Sequence, residues 1–313
     1  MFPIDHRHPV TGHCGPMVPG HEFSGFVADT GPDVSGFSVG DLITSGAGIS
    51  CGTCPACVAG RNNLCIRYST VGLERDGALA EFTTVPAAAC INLDGRSLSP
   101  DVAALAQPMS IGVHAMRRGQ ARPGDEVVVL GAGGIGSFIV HAAAKQGARV
   151  TAIDLDADRL SVASKLGAQH IVHPSVDAPV SEQLEGIGIR PNIVYECTGT
   201  APALDSAIEL TNKGGRVVLV GLQKGAVAVE LLSVTLQEKE LIGTLAHVFG
   251  ADFGHSVDLL EDERELWAAV APSVQPLDDV VSRGLDPMIN GGPTPIKALF
   301  DPTGDQERPL QTS

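Results

Sequence analysis

The chain has 313 residues, of which 43% are hydrophobic, and its 36 acidic and 21 basic side chains give a formal net charge of −15. This length predicts about two globular domains. The acidic balance, without a cluster of Lys and Arg, argues against nucleic acid as a partner, because binding to phosphates needs such clusters. The N-terminal stretch "MFPIDHRHPV" has no apolar signal core, so we expect a cytoplasmic protein.

The first stretch whose residues suggest a chemical function is "MVPGHEFSG", residues 17–25. His21 and Glu22 stand side by side in it, between Gly20 and Gly25. An imidazole next to a carboxylate suggests two ligands of a metal ion. A catalytic metal usually has three protein ligands, so this stretch predicts only part of a site.

Residues 1–105 are rich in Gly and Pro and contain short alternating runs, which predict short strands and loops. Within them, "CGTCPACVAGRNNLC" spaces four cysteines as C-x2-C-x2-C-x7-C. Four thiolates can close a tetrahedron around zinc and leave no open position. We therefore predict a structural zinc site formed by Cys51, Cys54, Cys57 and Cys65. The alternative is four unrelated thiols or two disulfides, which the lack of an export signal disfavours.

From about residue 106, short apolar runs alternate with helical patterns. The runs "DEVVVL", "ARVTAID", "NIVYECTG" and "RVVLVGL" predict strands, and "GIGSFIVHAAAKQG", "DADRLSVASKLGA" and "APALDSAIELTNKGG" predict helices. This alternation predicts a parallel sheet with helices on both faces. The uncharged stretch "VVVLGAGGIGSFIVHAAA" is near the length of a membrane span, but its glycines and His141 favour a buried strand, a turn and a helix.

Near residue 265 the alternation ends. "PLDDVVSRGLDPMI" predicts one more helix and "IKALFD" a final strand. This tail is too short for a domain of its own, so we expect it to return to the first one. The sequence therefore predicts a catalytic domain over residues 1–105, a dinucleotide-binding domain over 106–264 and a return segment over 265–313.

A glycine-rich turn follows the first of the buried strands. In "VVVLGAGGIG", Gly131, Gly133 and Gly136 form G-x-G-x-x-G between a strand and a helix. These glycines allow a tight turn, approach of a pyrophosphate and close packing of helix on strand. Asp154 ends the next strand, where a carboxylate accepts hydrogen bonds from the ribose hydroxyls and repels a 2′-phosphate. The pattern therefore predicts NAD rather than NADP.

The combination resembles the zinc-dependent medium-chain alcohol dehydrogenases. The resemblance covers nearly the whole chain and rests on "GHEFSG", "VGD" at 39–41, the four cysteines, "DGALAEF", "GVHAMRR", "GAGGIG", "ECTG" and "GGRVVLVGL". "HPVTG" just before "VPGHEFSG" resembles the butanediol and sorbitol dehydrogenase branch. The resemblance implies an α/β protein with a GroES-like, β-rich catalytic domain and a Rossmann domain. It also implies zinc and NAD as cofactors, a small alcohol or diol as substrate, and a homodimer or homotetramer without a membrane partner.

The resemblance also implies roles for single residues. His21 and Glu22 match the family's "GHE", in which the His and often the Glu bind catalytic zinc. Residues matching cofactor contacts lie in the turn, at the ribose and at two later loops; they are Gly131, Gly133, Gly134, Ile135, Gly136, Asp154, Arg159, Thr198, Val220, Gly221 and Leu222.

Two positions depart from the family pattern. The family's upstream cysteine ligand lies in a segment resembling CG-x-C-G-(S/T)-D, whereas the only cysteine before His21 here is Cys14, in a different context. The family's other ligand, a Glu or Cys before a proline, is replaced by Gln107, whose neutral amide is a weak zinc ligand. We therefore predict a half-built catalytic site of His21, Glu22 and Gln107, in a catalytic domain that is incomplete at its N-terminus through a wrong start, a fragment or a true loss.

These features predict a zinc-dependent oxidoreductase that transfers hydride from a secondary alcohol or vicinal diol to NAD, with this chain itself inactive or weakly active. The alternative is a non-catalytic, NAD-binding relic or subunit that lacks the catalytic zinc. A metal-free reductase of the same superfamily is disfavoured, because such enzymes usually lack the cysteine lobe.

Overall fold

A computed structural model describes residues 11–12, 17–175 and 178–313, and Cys14 lies outside these ranges. Contacts divide the chain into two compact units. One, here the β-rich unit, contains the residues up to Ser110 together with Ala246–Ser313, and the other, the parallel-sheet unit, contains Ile111–Leu245. Within the described ranges, no helix combines the length and the apolar character that a membrane span requires.

The β-rich unit begins with short strands and two short helices, as its Gly- and Pro-rich sequence predicts. The antiparallel strands β1, β2 and β5 form one sheet in the order β1-β2-β5, and β3 pairs with β4. The bounds of these elements are β1 Phe23–Phe26, β2 Leu42–Ser45, β3 Gly48–Ile49, α1 Pro55–Val58, β4 Ser69–Thr70, β5 Cys90–Asn92 and α2 Pro100–Ala103. The longer helix α3, Ala106–Gly119, begins in this unit and ends beyond Ser110.

The parallel-sheet unit contains a six-stranded sheet in the order β11-β10-β9-β6-β7-β8, and all its pairs are parallel. The chain winds outward from β6 in both directions, so right-handed crossovers place helices on opposite faces. The predicted doubly wound sheet is confirmed. Its elements are β6 Glu126–Leu130, α4 Gly136–Lys145, β7 Arg149–Ile153, α5 Ala157–Lys165, β8 His170–Val172, α6 Val180–Gly186, β9 Ile193–Glu196, α7 Ala201–Leu210, β10 Arg216–Leu219, α8 Leu231–Leu236 and β11 Glu240–Gly243.

Local sequence explains the ends of these helices. The Asp156 carboxylate accepts hydrogen bonds from the backbone N–H groups of Asp158 and Arg159, which makes Asp156 the N-cap of α5. Gly147, two residues after α4, has a φ of +87°, a conformation that favours glycine. The core around the sheet is mainly apolar, with Val128 and Val217 fully buried.

The tail returns to the β-rich unit. A π-helical turn at Phe249–Phe253 leads into α9 Gly254–Asp262, and β12 Ser273–Pro276 pairs with β13 and β14. The predicted tail helix is three successive helical pieces, and the last of them begins next to Pro287, which cannot donate a backbone hydrogen bond. They are a 3-10 turn at Leu277–Asp279, a π-helix at Val280–Leu285 and α10 Asp286–Asn290, followed by β13 Leu299–Asp301 and β14 Arg308–Pro309. The "IKALFD" strand is β13, but the expectation that it is the final strand is wrong, because β14 follows it.

The contacts place the unit boundaries after Ser110 and Leu245, whereas the predicted domain boundaries follow residues 105 and 264. The second difference arises because α9 packs on the β-rich unit. Ser256 Oγ donates to the carbonyl of Ala106 at 3.1 Å, and Arg96 forms ion pairs with Asp258 and Glu261. The division into functional domains stays a prediction.

A buried ion pair joins the end of the chain to α2. Asp101 is 8% exposed, and its carboxylate accepts hydrogen bonds from Arg308 Nη1 at 2.5 Å, Arg308 Nη2 at 2.9 Å and the N–H of Gln311 at 2.8 Å. The two carboxylates beside Arg308, Asp101 and then Asp301, raise the pKa of its guanidinium. This carboxylate therefore holds the C-terminal segment against the β-rich unit.

We expect Asp101→Ala to lower the free energy of unfolding by about 2–3 kcal/mol, because it leaves a partly buried guanidinium without its main partner. Urea unfolding measures this loss. Arg283→Ala is the matched control, because its ion pair with Glu307 is exposed and such pairs contribute at most about 1 kcal/mol. Equal effects of the two substitutions would contradict the role given to Asp101.

Candidate functional site

The four predicted zinc ligands lie together. The Sγ atoms of four residues all lie within 4.8 Å of one another; these residues are Cys51, Cys54, Cys57 and Cys65. The loop turns at Gly52, with a φ of +71°, and the chain then forms α1. The sequence therefore folds into a compact four-thiol cluster, as its spacing predicts.

Hydrogen bonds to sulfur favour thiolates in this cluster. The N–H of Cys51 donates to Cys65 Sγ at 3.2 Å, and the N–H of Cys54 donates to Cys51 Sγ at 3.3 Å. Hydrogen bonds from Thr53 lower the pKa of Cys51 to about 5, whereas burial raises the pKa of Cys57 to about 11. A cation among the four sulfurs would balance the charge of the thiolates and favour deprotonation of Cys57 as well. The donor set and its geometry fit a closed tetrahedral zinc site.

His21 and Glu22 lie at the start of β1, after a loop held by backbone hydrogen bonds. The N–H of Ala78 donates to the carbonyl of Gly20 at 3.0 Å, and Gly20 has a φ of +105°. A Cβ atom on Gly72 would lie 2.2 Å from the Gly20 oxygen, so only glycine fits at position 72. The segment "DGALAEF" therefore positions the "GHE" loop.

Glu22 forms an ion pair that the sequence did not reveal. Lys297 Nζ donates to Glu22 Oε1 at 2.8 Å and to Glu22 Oε2 at 2.7 Å. The Lys297 side chain is 15% exposed and that of Glu22 is 29% exposed, so most of the pair is shielded from water. Both carboxylate oxygens are engaged by the ammonium.

Burial lowers the pKa of His21; the neighbouring Glu22 raises it, and Lys297 lowers it. The net direction is downward, so the imidazole is neutral near pH 7. A neutral imidazole can bind a metal ion or accept a proton. His21 therefore has the protonation state that either role requires.

Gln107 lies in the first turn of α3 and is 4% exposed. Its amide Oε1 is buried without a hydrogen-bond partner, which costs roughly 1–3 kcal/mol. Among the described residues, the cysteine cluster is the one group of three or more His, Cys, Asp or Glu donors within 4.8 Å of each other. An imidazole, an ion-paired carboxylate and a neutral amide, which are the groups of the three predicted ligands His21, Glu22 and Gln107, do not fit a tightly held catalytic zinc.

The glycine-rich turn has the steric constraints that its motif predicts. Gly131 has a φ of +92°, and a Cβ atom there would lie 2.9 Å from Thr198 Cγ2. A Cβ atom on Gly136 would lie 1.8 Å from the carbonyl oxygen of Gly131. The turn and the start of α4 therefore require glycine at both positions.

The other turn residues leave the start of α4 accessible. Gly134 and Ile135 are half-buried, and no side chain caps α4 at Ile135. A Cβ atom on Gly133 would meet only Arg159, with Nη1 at 3.4 Å. Uncapped backbone N–H groups at a helix N-terminus can bind a phosphate group.

Asp154 lies at the carboxyl end of β7, beside this turn. Its Oδ2 accepts a hydrogen bond from the N–H of Ala132 at 2.7 Å, and its Oδ1 accepts one from the N–H of Asp156 at 2.9 Å. Arg159 Nε lies 3.7 Å from Asp156 Oδ2. The structure thus brings Asp154 and Arg159 to the glycine-rich turn.

The two later loops meet at the ends of β9 and β10, where the buried Glu196 holds them. Glu196 Oε1 accepts hydrogen bonds from the N–H of Thr198 at 2.7 Å and the N–H of Gly199 at 3.1 Å. The carbonyl of Glu196 accepts hydrogen bonds from the N–H groups of Val220 at 2.9 Å and Gly221 at 2.8 Å. A Cβ atom on Gly221 would lie 2.1 Å from the Gly199 nitrogen.

Leu222 follows in the same loop, and 86% of it is exposed.

Sequence reasoning missed Glu196, although a carboxylate at the end of the apolar run "NIVYE" was an available signal. It also missed Lys297, the one basic residue in the segment 291–307, because nothing in the sequence indicates a partner at position 22.

We expect Cys57→Ser to abolish retention of zinc at the cysteine cluster and to lower the melting temperature by roughly 5–10 °C, because loss of a structural zinc removes folding free energy. Metal analysis and thermal unfolding measure both effects. Cys90→Ser is the matched control, since Cys90 is a buried thiol outside the cluster. Unchanged zinc content in Cys57→Ser would show that the cluster is not the zinc site.

Comparison with known proteins supports the same assignment. The family model described as a zinc-binding dehydrogenase matches residues 134–262, and the one described as an alcohol dehydrogenase GroES-like domain matches residues 2–95. The chain is 30% identical to the 2-dehydro-3-deoxy-L-galactonate 5-dehydrogenase of Pseudoalteromonas atlantica, over 93% of this chain and 84% of that protein. It is 34% identical to a sorbitol dehydrogenase of Arabidopsis thaliana, over 74% of this chain and 65% of that protein.

The structure is also similar to the crystal structure of 2R,3R-butanediol dehydrogenase from Bacillus subtilis. The TM-score is 0.85 at 27% identity, and the match covers 96% of this chain and 85% of that chain. This chain matches the family models of both domains, and it covers most of the length of a dehydrogenase to which it is 30% identical. The chain therefore belongs to the zinc-dependent medium-chain alcohol dehydrogenase family and is an oxidoreductase of the alcohol dehydrogenase type.

Proposed function

We propose that this protein is an NAD-dependent dehydrogenase of a secondary alcohol or vicinal diol. The observation that carries the proposal is the uncapped glycine-rich turn at the start of α4 with the Asp154 carboxylate beside it. That arrangement offers backbone N–H groups to a pyrophosphate and carboxylate oxygens to a ribose.

The preference for NAD depends on charge at Asp154. Its two oxygens can accept hydrogen bonds from the ribose hydroxyls, whereas a 2′-phosphate there would meet a negative charge. Arg159 is adjacent, but the nearby Asp156 carboxylate offsets its charge. The charge balance at this end of the turn therefore favours a ribose without a phosphate.

The remaining proposed cofactor contacts are Thr198, Val220, Gly221 and Leu222. The Glu196 hydrogen bonds hold their two loops together at the carboxyl end of the sheet, where ligands of such sheets bind. We assign these loops to the nicotinamide half of the cofactor. Exposed Leu222 offers an apolar surface to the ring.

The proposed reaction converts a secondary hydroxyl into a carbonyl, with hydride transfer to the bound NAD and release of the hydroxyl proton. Lys297 holds the Glu22 carboxylate next to His21 in the sequence. Zinc at the cysteine cluster has a structural role, because four thiolates leave no open position for substrate.

The substrate class follows from the relatives rather than from a pocket. Their names refer to butanediol, sorbitol and a sugar acid, all of which carry hydroxyl groups on neighbouring carbons. We therefore propose a vicinal diol or polyol as the substrate.

We further propose that the protein is a homodimer or homotetramer, since β11 lies at an edge of its sheet and an unpaired edge can pair with a second copy. The reduced cysteine cluster fits the cytoplasm.

A second candidate function is an NAD-binding subunit without catalysis. One observation favours it: the ammonium of Lys297 engages both oxygens of Glu22, a residue that the sequence predicts as a metal ligand. In that case the chain binds NADH and oxidises no alcohol.

We expect the purified protein to bind NADH and to reduce NAD at a low rate with 2,3-butanediol or sorbitol, and more slowly still with a primary alcohol, because the proposed substrate has neighbouring hydroxyls. NADH absorbance measures the rate, and titration with NADH measures binding separately. Binding without turnover on any diol or polyol would favour the second candidate. Failure to bind NADH would contradict both candidate functions.

We expect Asp154→Ser to reduce the preference for NADH over NADPH by about tenfold or more, because it removes a charged hydrogen-bond acceptor and the repulsion of the 2′-phosphate. Fluorescence titration with both cofactors measures this change. Asp158→Ser, an exposed position on α5, should leave the ratio unaltered. A wild-type protein that prefers NADPH would show that the role given to Asp154 is wrong.

A further inference from the structure

An ion pair between Glu22 and Lys297 joins two distant segments of the described chain. The two hydrogen bonds of 2.7 and 2.8 Å use both carboxylate oxygens and one ammonium group. The residues lie 275 positions apart in the sequence, so the fold brings them together. The pair therefore belongs to the tertiary structure of the β-rich unit and not to a local turn.

The position of Lys297 is set by the backbone around it. Its N–H donates to the carbonyl of Val270 at 3.0 Å, and β13 begins two residues later at Leu299. With 15% of its side chain exposed, the ammonium has little access to water. If it left Glu22, a largely buried charge would lose its main partner, which is strongly unfavourable.

A zinc ion beside Glu22 would have to displace this ammonium or share the carboxylate with it. Displacement leaves Lys297 unpaired, and sharing places a divalent cation next to a monovalent one. Neither the imidazole of His21 nor the amide of Gln107 adds the negative charge that would compensate for this. Among the described residues, charge and ligand type thus both oppose a second zinc.

We propose that Lys297 occupies the cation position beside His21 and Glu22, so that, of the sites formed by the described residues, the cysteine cluster alone retains zinc. Lys297 is the positioning residue of this centre, and Gln107 stands where the resemblance to the family implies an acidic or thiolate ligand. The inference deepens the proposed function, since it concerns the centre of the proposed dehydrogenase.

The experiment is a zinc count on the full chain after dialysis against a chelator of modest affinity. We expect one zinc per chain in the wild type and none in Cys57→Ser. Two zinc ions in the wild type, or one remaining in Cys57→Ser, would overturn the proposal.

The double variant Lys297→Gln with Gln107→Glu frees Glu22 and adds a carboxylate, so we expect it to retain a second zinc. A count that stays at one would overturn the proposal that these two residues limit the centre. The matched control is Lys165→Gln with Gln275→Glu, which combines an exposed lysine with another buried amide whose Oε1 lacks a partner. A second zinc in this control would equally overturn the proposal.

An NADH titration on every variant separates this inference from the proposed function. Unchanged NADH binding shows that the parallel-sheet unit of each variant is folded. If the wild type fails to bind NADH, the proposed function fails, whereas the zinc count still decides the role of Lys297.

Discussion

An ion pair between Glu22, at the start of the described β-rich unit, and Lys297, near its end, decides which cation that part of the chain can accommodate. Its two short hydrogen bonds lie in a largely buried setting. Paired buried charges are costly to separate, so the ammonium and a metal ion compete for one carboxylate. The metal chemistry of the protein therefore depends on a lysine contributed by the return segment.

The parallel-sheet unit shows no comparable conflict among its described residues. The carboxyl ends of β6, β7 and β9 are adjacent in the sheet, and they carry Gly131, Asp154 and Glu196 at or just after the last strand residue. Gly131 adopts a positive φ, Asp154 offers an accepting carboxylate, and Glu196 is a buried acceptor that holds two loops. Because the sheet aligns these ends, a few local motifs are enough to build a dinucleotide site.

The sequence predicted what depends on local spacing and missed what depends on distant partners. The cysteine cluster, the glycine-rich turn and the parallel sheet with helices on both faces follow from short motifs and periodicity. The pairing of Lys297 with Glu22 does not, because it joins residues 275 positions apart. The same holds for α9, whose contacts with Ala106 and Arg96 place it with the β-rich unit, and for β14, whose two residues carry no pattern.

The most direct test of this account is a crystal structure of the zinc-saturated protein with NADH, with anomalous scattering recorded at the zinc absorption edge. The account predicts one strong zinc peak among Cys51, Cys54, Cys57 and Cys65, with Lys297 Nζ still bonded to Glu22. A second peak of equal strength at His21, with Lys297 turned away from Glu22, would contradict it.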